Sequence, residues 1–248
     1  MSPTAAAAGA AAWHDVECAS YAADLGAWRD LANERGGPVL DVGAGTGRVA
    51  LDLAARGHSV VAIDADPELV RACSDRARDR GLAVRAHAGD ARSFELGSTH
   101  PLAILPMQVA QLLGGRRGRR AMLNTVGAHL APGGLMAVAL ADPFGDVPAG
   151  EFLPPLPDVL EVDGWVLSST PIEVRNEGDS VAVDRHRQAV SPAGELTEEI
   201  VTISLESVTE HGLEEEAAAA GFTPMPAREV PPTRDHVGST IVLLEAPG

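Results

Sequence analysis

Three aspartates and a glycine loop are the residues of this sequence whose types and spacing can do chemistry. The stretch VLDVGAGTG, residues 39–47, reads as a short apolar strand running into the start of a helix. Between the two, Gly43, Ala44 and Gly45 form a loop in which the glycines let the backbone turn tightly and approach a ligand. The helix start beyond it offers unpaired N–H groups. Asp41 lies in the first strand. Asp64 ends a second apolar strand, SVVAIDAD, 23 residues further on, and a carboxylate there can accept two hydrogen bonds from a ribose diol. Asp90 ends a third strand, LAVRAHAGD. All three acids fall at the carboxyl ends of adjacent strands, where open α/β sheets bind ligands. The loop reads G-x-G-x-G; the dinucleotide fingerprint G-x-G-x-x-G would place its third glycine where this chain has Arg48.

The elements that must hold these residues alternate. A helical pattern over Trp13–Arg35 stops at Gly36-Gly37-Pro38. The strand before the glycine loop, a helix RVALDLAARG, the strand ending at Asp64, a helix from Pro67 to about Arg80 and the strand ending at Asp90 follow. PLAILPM is a fourth strand, a helix runs through MLNTVGAHL, and LMAVALAD is a fifth strand after a Pro-Gly-Gly turn. Such alternation specifies a parallel sheet with helices on both faces. The rhythm changes after Asp142: a Pro-rich stretch leads into the strands WVLSSTPIEVR, SVAVDRHRQAV and EEIVTISLES, joined by tight turns. A helix, LEEEAAAAGF, and two apolar segments close the chain as a hairpin. The fold class expected is therefore α/β. It is a Rossmann-like, doubly wound seven-stranded sheet with a closing antiparallel hairpin and an inserted antiparallel β unit after the fifth strand. The divisions are a disordered tail over 1–12, a core over 13–141, an insert over 142–211 and a C-terminal completion over 212–248.

Composition excludes several chemistries. The 248 residues include 45% hydrophobic and 22% charged side chains, as a globular domain does. There is no lysine, so Schiff-base chemistry and the P-loop lysine are impossible. The net charge of −16 falls entirely on residues 141–248, which hold 5 Arg against 21 Asp and Glu. That repels a phosphate backbone, and eight aromatic residues are too few for a base-stacking platform, so nucleic acid is not an expected partner. Arg116, Arg117, Arg119 and Arg120 form one basic cluster, read as a solvated helix start. Two cysteines, Cys18 and Cys73, with no signal-like N-terminus or apolar span, point to a reducing, cytoplasmic setting without membrane association.

The stretches VLDVGAGTGRVALDLAARG (39–57), VVAIDADPELV (60–70), AGDAR (88–92) and LAPGGLMAVAL (130–140) resemble the class I S-adenosylmethionine-dependent methyltransferases, small-molecule type. The resemblance implies S-adenosylmethionine as cofactor, S-adenosylhomocysteine as product and a small-molecule acceptor. Gly43, Ala44 and Gly45 would pass the methionine part, with Asp41 holding its amino group. Asp64 would bind the ribose hydroxyls with Ala65 near the adenine, and Asp90 would accept from the adenine amino group beside Ala91. Leu105, Pro106 and Met107 would border the sulfonium and the acceptor, and Tyr21 would fold over the cofactor. The insert would act as a lid or as a homodimer contact, with Phe144, Phe152, Leu153 and Trp165 as its apolar candidates.

The sequence departs from the family by starting its fourth strand with His100-Pro101 in place of Phe-Asp, and it carries neither an N/D-P-P-Y signature nor a metal cluster. Methyl transfer needs alignment of a nucleophile and exclusion of water; an amine needs only to lose a proton, whereas a hydroxyl gains from a general base. The candidate bases are Asp142, His14, His186 and His211, and Gln108 and Gln111 are candidates for hydrogen bonding to the acceptor. The alternatives are a fold of this kind that catalyses a non-methylating rearrangement, an NAD-dependent oxidoreductase, and a module that no longer binds a ligand.

Overall fold

The computed structural model describes residues 3–141, 156–233 and 237–248, with side chains from residue 9 onward. Six α-helices and eleven strands are present among them. Helix α1 (Pro3–Cys18) kinks at Gly9 and is followed by α2 (Leu25–Arg35). The single helix expected over 13–35 is thus two, and the tail expected over 1–12 is largely helical. The alanine run has the highest helix propensity of any sequence, which explains the extension. The break at 19–24 is held by Asp24, whose carboxylate accepts from Trp28 Nε1 (2.8 Å) and from both terminal nitrogens of Arg48 (2.6 and 2.7 Å).

The central sheet alternates as expected: β1 (Val39–Val42), α3 (Arg48–Ala54), β2 (Val60–Asp64), α4 (Pro67–Asp79), β3 (Val84–Ala88), β4 (His100–Leu105), α5 (Arg116–Gly127) and β5 (Leu130–Ala141). Pro67 at the first position of α4 and Asp66, whose side chain accepts from Glu68 N, fix that helix start. After a second, antiparallel sheet come α6 (Glu210–Ala219), β10 (Thr223–Val230) and β11 (Ser239–Glu245). The seven strands lie in the order β10-β11-β5-β4-β1-β2-β3, with the β10–β11 hairpin antiparallel to the rest. Strands β1 and β4 are fully or nearly fully buried because helices cover both faces. One face packs on α5 and α6 through Met122, Leu123, Val126 and Leu213, the other on α2, α3 and α4 through Trp28, Leu31, Leu53 and Cys73. Strand order reverses between β4 and β1, so a crevice opens above their carboxyl ends.

The second sheet, β6 (Asp158–Val162), β7 (Trp165–Asn176), β8 (Ser180–Val190) and β9 (Leu196–Glu206), runs in that order and is wholly antiparallel. Sequence reading found three of these strands and missed β6, whose five residues follow the Pro-rich stretch. Helix α1 lies between this sheet and α4. Trp13 and Val16 on α1 pack with Leu167 and Ala189, while Trp165 lies partly buried at the edge of the same cluster. Glu17 accepts from Arg187 Nε and Nη2 (2.8 Å each) and from Ser169 Oγ (2.8 Å). The basic cluster is also partly structural: Arg119 is buried in an ion-pair network with Glu206 and Glu216 that ties α5 to β9 and α6.

Candidate active site

A cleft of about 390 Å³ lies above the β1–β4 crevice. Its floor is the glycine loop. Gly43 and Gly45 both have positive φ (75° and 58°), where a side chain is strained. Neither has room for one: a Cβ on Gly43 would sit 2.4 Å from Val109 Cγ2, and on Gly45 it would sit 2.2 Å from His14 Nε2. Gly45→Ala is accordingly expected to lose at least tenfold in nucleoside affinity, because the αL penalty of about 1–2 kcal/mol adds to displacement of the His14 ring. Titration calorimetry with S-adenosylhomocysteine checks this.

Three carboxylates face the cleft, each in a different state. Asp41 is fully buried in β1, where no side chain donates to its oxygens and the Ala50 backbone of α3 is the hydrogen-bonding group beside them. Burial pushes its carboxyl up to about 7, Arg48 opposing and Asp64 adding to the shift. A buried carboxyl with no side-chain donor in a cleft wall favours a cationic ligand. Asp64 accepts from Gly45 N (2.8 Å) through one oxygen and from Asp66 N (2.9 Å) through the other, and each oxygen keeps a lone pair. Asp90 accepts from Arg92 Nε and Nη2 (2.9 and 2.6 Å) and from Arg92 N (2.8 Å). Those contacts with Arg92 hold its carboxyl down at about 2.

The cleft brings together His14, Asp41, Gly43, Ala44, Asp64, Ala65, Asp90, Ala91, Pro106, Met107 and Gln108 from the residues singled out by sequence. Gly45 lies directly beneath the His14 ring. Met107 carries a left-handed backbone (φ 59°), strain of the kind that gathers at functional sites.

Several candidates lie elsewhere. Leu105 is fully buried within β4, one residue before the cleft wall. Tyr21 sits in the break between α1 and α2, its ring under the Arg48 guanidinium at 5.1 Å, and does not line the cleft. Gln111 is locked to backbone: its amide donates to Ala141 O (2.9 Å) and Glu206 O (3.1 Å) and accepts from Ala141 N (2.9 Å). Its hydrogen-bonding capacity is spent on joining the two sheets. His186 pairs with Glu198 (3.2 Å) on β8. Its neighbours Arg185 and Arg187 reach Glu17 on α1, so strand alternation turns His186 to the opposite face. His211 is exposed on α6 beside Glu214 and Glu215. Trp165 belongs to the cluster under α1. Asp142, Phe144, Phe152 and Leu153 lie outside the described residues.

Sequence reading missed Cys18, Arg48, Val49, Gly89, Arg92, Val109, Leu112 and Leu113 among the lining residues. Two of these had a signal. Cys18 follows His14 by one helical turn and so shares its face. Arg92 follows Asp90 by two residues, close enough to pair with it.

Residues 39–134 match the family model described as a methyltransferase domain. That stretch, which holds the glycine loop, Asp41, Asp64 and Asp90, is thus similar to a methyltransferase domain. Over 108 residues the chain is 32% identical to the cypemycin N-terminal methyltransferase of a Streptomyces species; the match covers 44% of this chain and 43% of that protein, so it spans less than half the relative's length. The methyltransferase fold extends well beyond the matched domain. The sugar N-methyltransferase KedS8 from Streptoalloteichus superposes with a TM-score of 0.73 at 20% identity, covering 92% of this chain and 88% of its own. CalS10, an amino pentose methyltransferase from Micromonospora echinaspora solved with S-adenosylmethionine bound, gives 0.66 at 23% identity over 94% of both chains. The cofactor of this methyltransferase class is S-adenosylmethionine. No helix among the described residues is long and apolar enough to cross a membrane.

Proposed function

We propose that the chain transfers a methyl group from S-adenosylmethionine to a nitrogen or oxygen of a small-molecule acceptor, in bacterial secondary metabolism. The observation that carries the reading is the buried Asp41 carboxyl, without a side-chain donor, set beside Asp64 above a loop that has no room for side chains. These residues fit the cofactor. Its amino-acid ammonium would supply the charged donor Asp41 lacks, its ribose diol would use the free lone pairs of Asp64, and its backbone would run past Gly43, Ala44 and Gly45. Ala65 and Ala91 would flank the adenine. Asp90 reaches the adenine amino group only with the capacity Arg92 leaves it. Pro106, Met107 and Gln108 would border the reacting end.

Bound there, the cofactor supplies a methyl group activated on a positively charged sulfur. The chain's residues orient it, exclude water around it and accept a proton. Nitrogen is favoured as the receiving atom by the relatives named above, which by name are an N-terminal methyltransferase, a sugar N-methyltransferase and an amino pentose methyltransferase. The acidic C-terminal region favours a neutral or cationic acceptor over a phosphorylated one. The test is transfer of labelled methyl to a panel of amino sugars, their hydroxy analogues and short peptides. S-adenosylhomocysteine formation with an amine, and none with a sugar phosphate, is the expected result; preferred methylation of sugar phosphates contradicts the acceptor class.

Asp64→Ala removes the diol acceptor. The loss of two hydrogen bonds to a charged group, about 3 kcal/mol together, predicts S-adenosylhomocysteine binding weaker by roughly a hundredfold. Calorimetry checks it, and an unchanged affinity would remove Asp64 from the site.

A further inference from the structure

His14 stands at the end of a hydrogen-bonded chain that the reaction as described does not use. Its Nδ1 lies 3.3 Å from Thr46 Oγ1. The Thr46 hydroxyl donates to Asp15 Oδ1 at 2.7 Å, and Asp15 is in turn gripped by Arg76 from α4 through both carboxylate oxygens. A hydroxyl has one proton. With that proton on Asp15, Thr46 can only accept from His14, so Nδ1 must carry the imidazole hydrogen. The Nε2 lone pair is then bare, and the ring edge that carries it lies over Gly45 in the cleft.

We propose that Thr46 and Asp15 are positioning residues that hold His14 as the Nδ1–H tautomer, making Nε2 the proton acceptor for a protonated amine acceptor in the cleft. The proposal rests on the reading of the cleft as a methyl-transfer site. An ammonium gives one proton to Nε2, which becomes imidazolium. The freed nitrogen lone pair forms the N–C bond to the methyl group as the C–S bond breaks, and that bond's electron pair stays on sulfur. Imidazolium then returns its proton to water. Arg76 fixes Asp15 as the charged end of the chain, which orients the Thr46 hydroxyl.

The groups around His14 keep it neutral and ready. Burial lowers its proton affinity, and Arg48 from α3 works in the same direction. Asp15 and Glu17 on α1 and Asp64 from β2 oppose them. Cys18 faces the same cleft from α1, its thiol pushed up to about 11 by burial, so it stays protonated and leaves His14 as the base.

The test is nitrogen-15 NMR of the histidine rings in the cofactor-free protein, with His14 assigned by loss of its signals in His14→Gln. The expected wild-type spectrum shows Nδ1 protonated and Nε2 bare at neutral pH. Thr46→Val removes the hydroxyl and should give a mixture of tautomers, while Thr46→Ser should restore the single form. With an amine found by the transfer panel and saturating S-adenosylmethionine, Thr46→Val and His14→Gln should each lower the rate ten- to a hundredfold, and Thr46→Ser should recover most of it. A wild-type His14 protonated at Nε2, or a tautomer unchanged in Thr46→Val, overturns the proposal. If the wild type fails to bind S-adenosylhomocysteine while the tautomer is as expected, the methyl-transfer reading fails and the hydrogen-bonded chain stands.

Discussion

Asp41→Asn is expected to stabilise the cofactor-free protein above neutral pH and to weaken its binding of S-adenosylhomocysteine. In the native state the Asp41 carboxyl holds its proton up to about 7, whereas its ordinary value is 3.8. A carboxyl whose folded-state value is raised makes the native state bind more protons than the unfolded chain between these two pH values. Stability is therefore highest below the lower value, declines between the two, and has lost this contribution once pH has risen through the upper one. The shift corresponds to a loss on the order of 4 kcal/mol, at 1.36 kcal/mol per unit. Asparagine has nearly the same shape and no charge to bury, so the variant should escape this decline. Thermal unfolding from pH 5 to 8.5 should show the wild type losing stability up to about pH 7 and levelling off above it, and the variant showing no such loss; parallel curves contradict the account.

The same substitution should weaken nucleoside binding tenfold or more at pH 8, because an ammonium then meets a neutral amide. Below pH 7 the wild type should release close to one proton on binding, as the incoming cation favours the carboxylate. Calorimetry in buffers of different ionisation enthalpy measures that proton directly. The variant should release none from this site.

Trp13→Ala should release α1 without unfolding the central sheet. Trp13 is 2% exposed, packs with Leu167 and Ala189, and lies under the Arg187 guanidinium at 5.1 Å. Removing a buried aromatic costs about 3–5 kcal/mol. Beyond that cluster α1 is held by polar groups at its edges, Glu17 to Arg187 and Asp15 to Arg76, of which Arg76 is half-buried. The loss should therefore appear as local opening. Hydrogen exchange over residues 9–18 should accelerate by two orders of magnitude or more, while β1, β4 and β5 keep their protection. Acceleration spread evenly over the chain would mean that α1 and the core unfold together.

The glycine loop and the strand-end carboxylates, to which the proposal gives the cofactor, were legible because their placement depends on sequence-local geometry. Gly43, Gly45 and Asp64 lie at strand ends, and a parallel sheet sends all its carboxyl ends to one edge. The strands themselves were legible from apolar runs bounded by Gly and Asp. The acceptor half depends on long-range placement, which spacing does not carry. His14 reaches the loop because α1 lies between α4 and a sheet formed 150 residues later in the chain. His186 belongs to that sheet and points the other way, since the alternation of β8 gives α1 its neighbours Arg185 and Arg187. Tyr21 was expected to cover the cofactor on an unbroken helix. The Asp24–Arg48 pair breaks that helix and keeps the ring under Arg48. Gln111 had the chemistry to bind an acceptor, but three backbone hydrogen bonds claim its amide.

The most direct measurement is calorimetric titration of the purified protein with S-adenosylmethionine, S-adenosylhomocysteine and NAD in parallel. Micromolar binding of the two sulfur nucleosides and none of NAD is the result the site predicts, from the buried Asp41, the Asp64 carboxylate and the G-x-G-x-G loop together. Binding of NAD, or of neither sulfur ligand, would contradict it, and the roles assigned to Asp41 and Asp64 would fall with it.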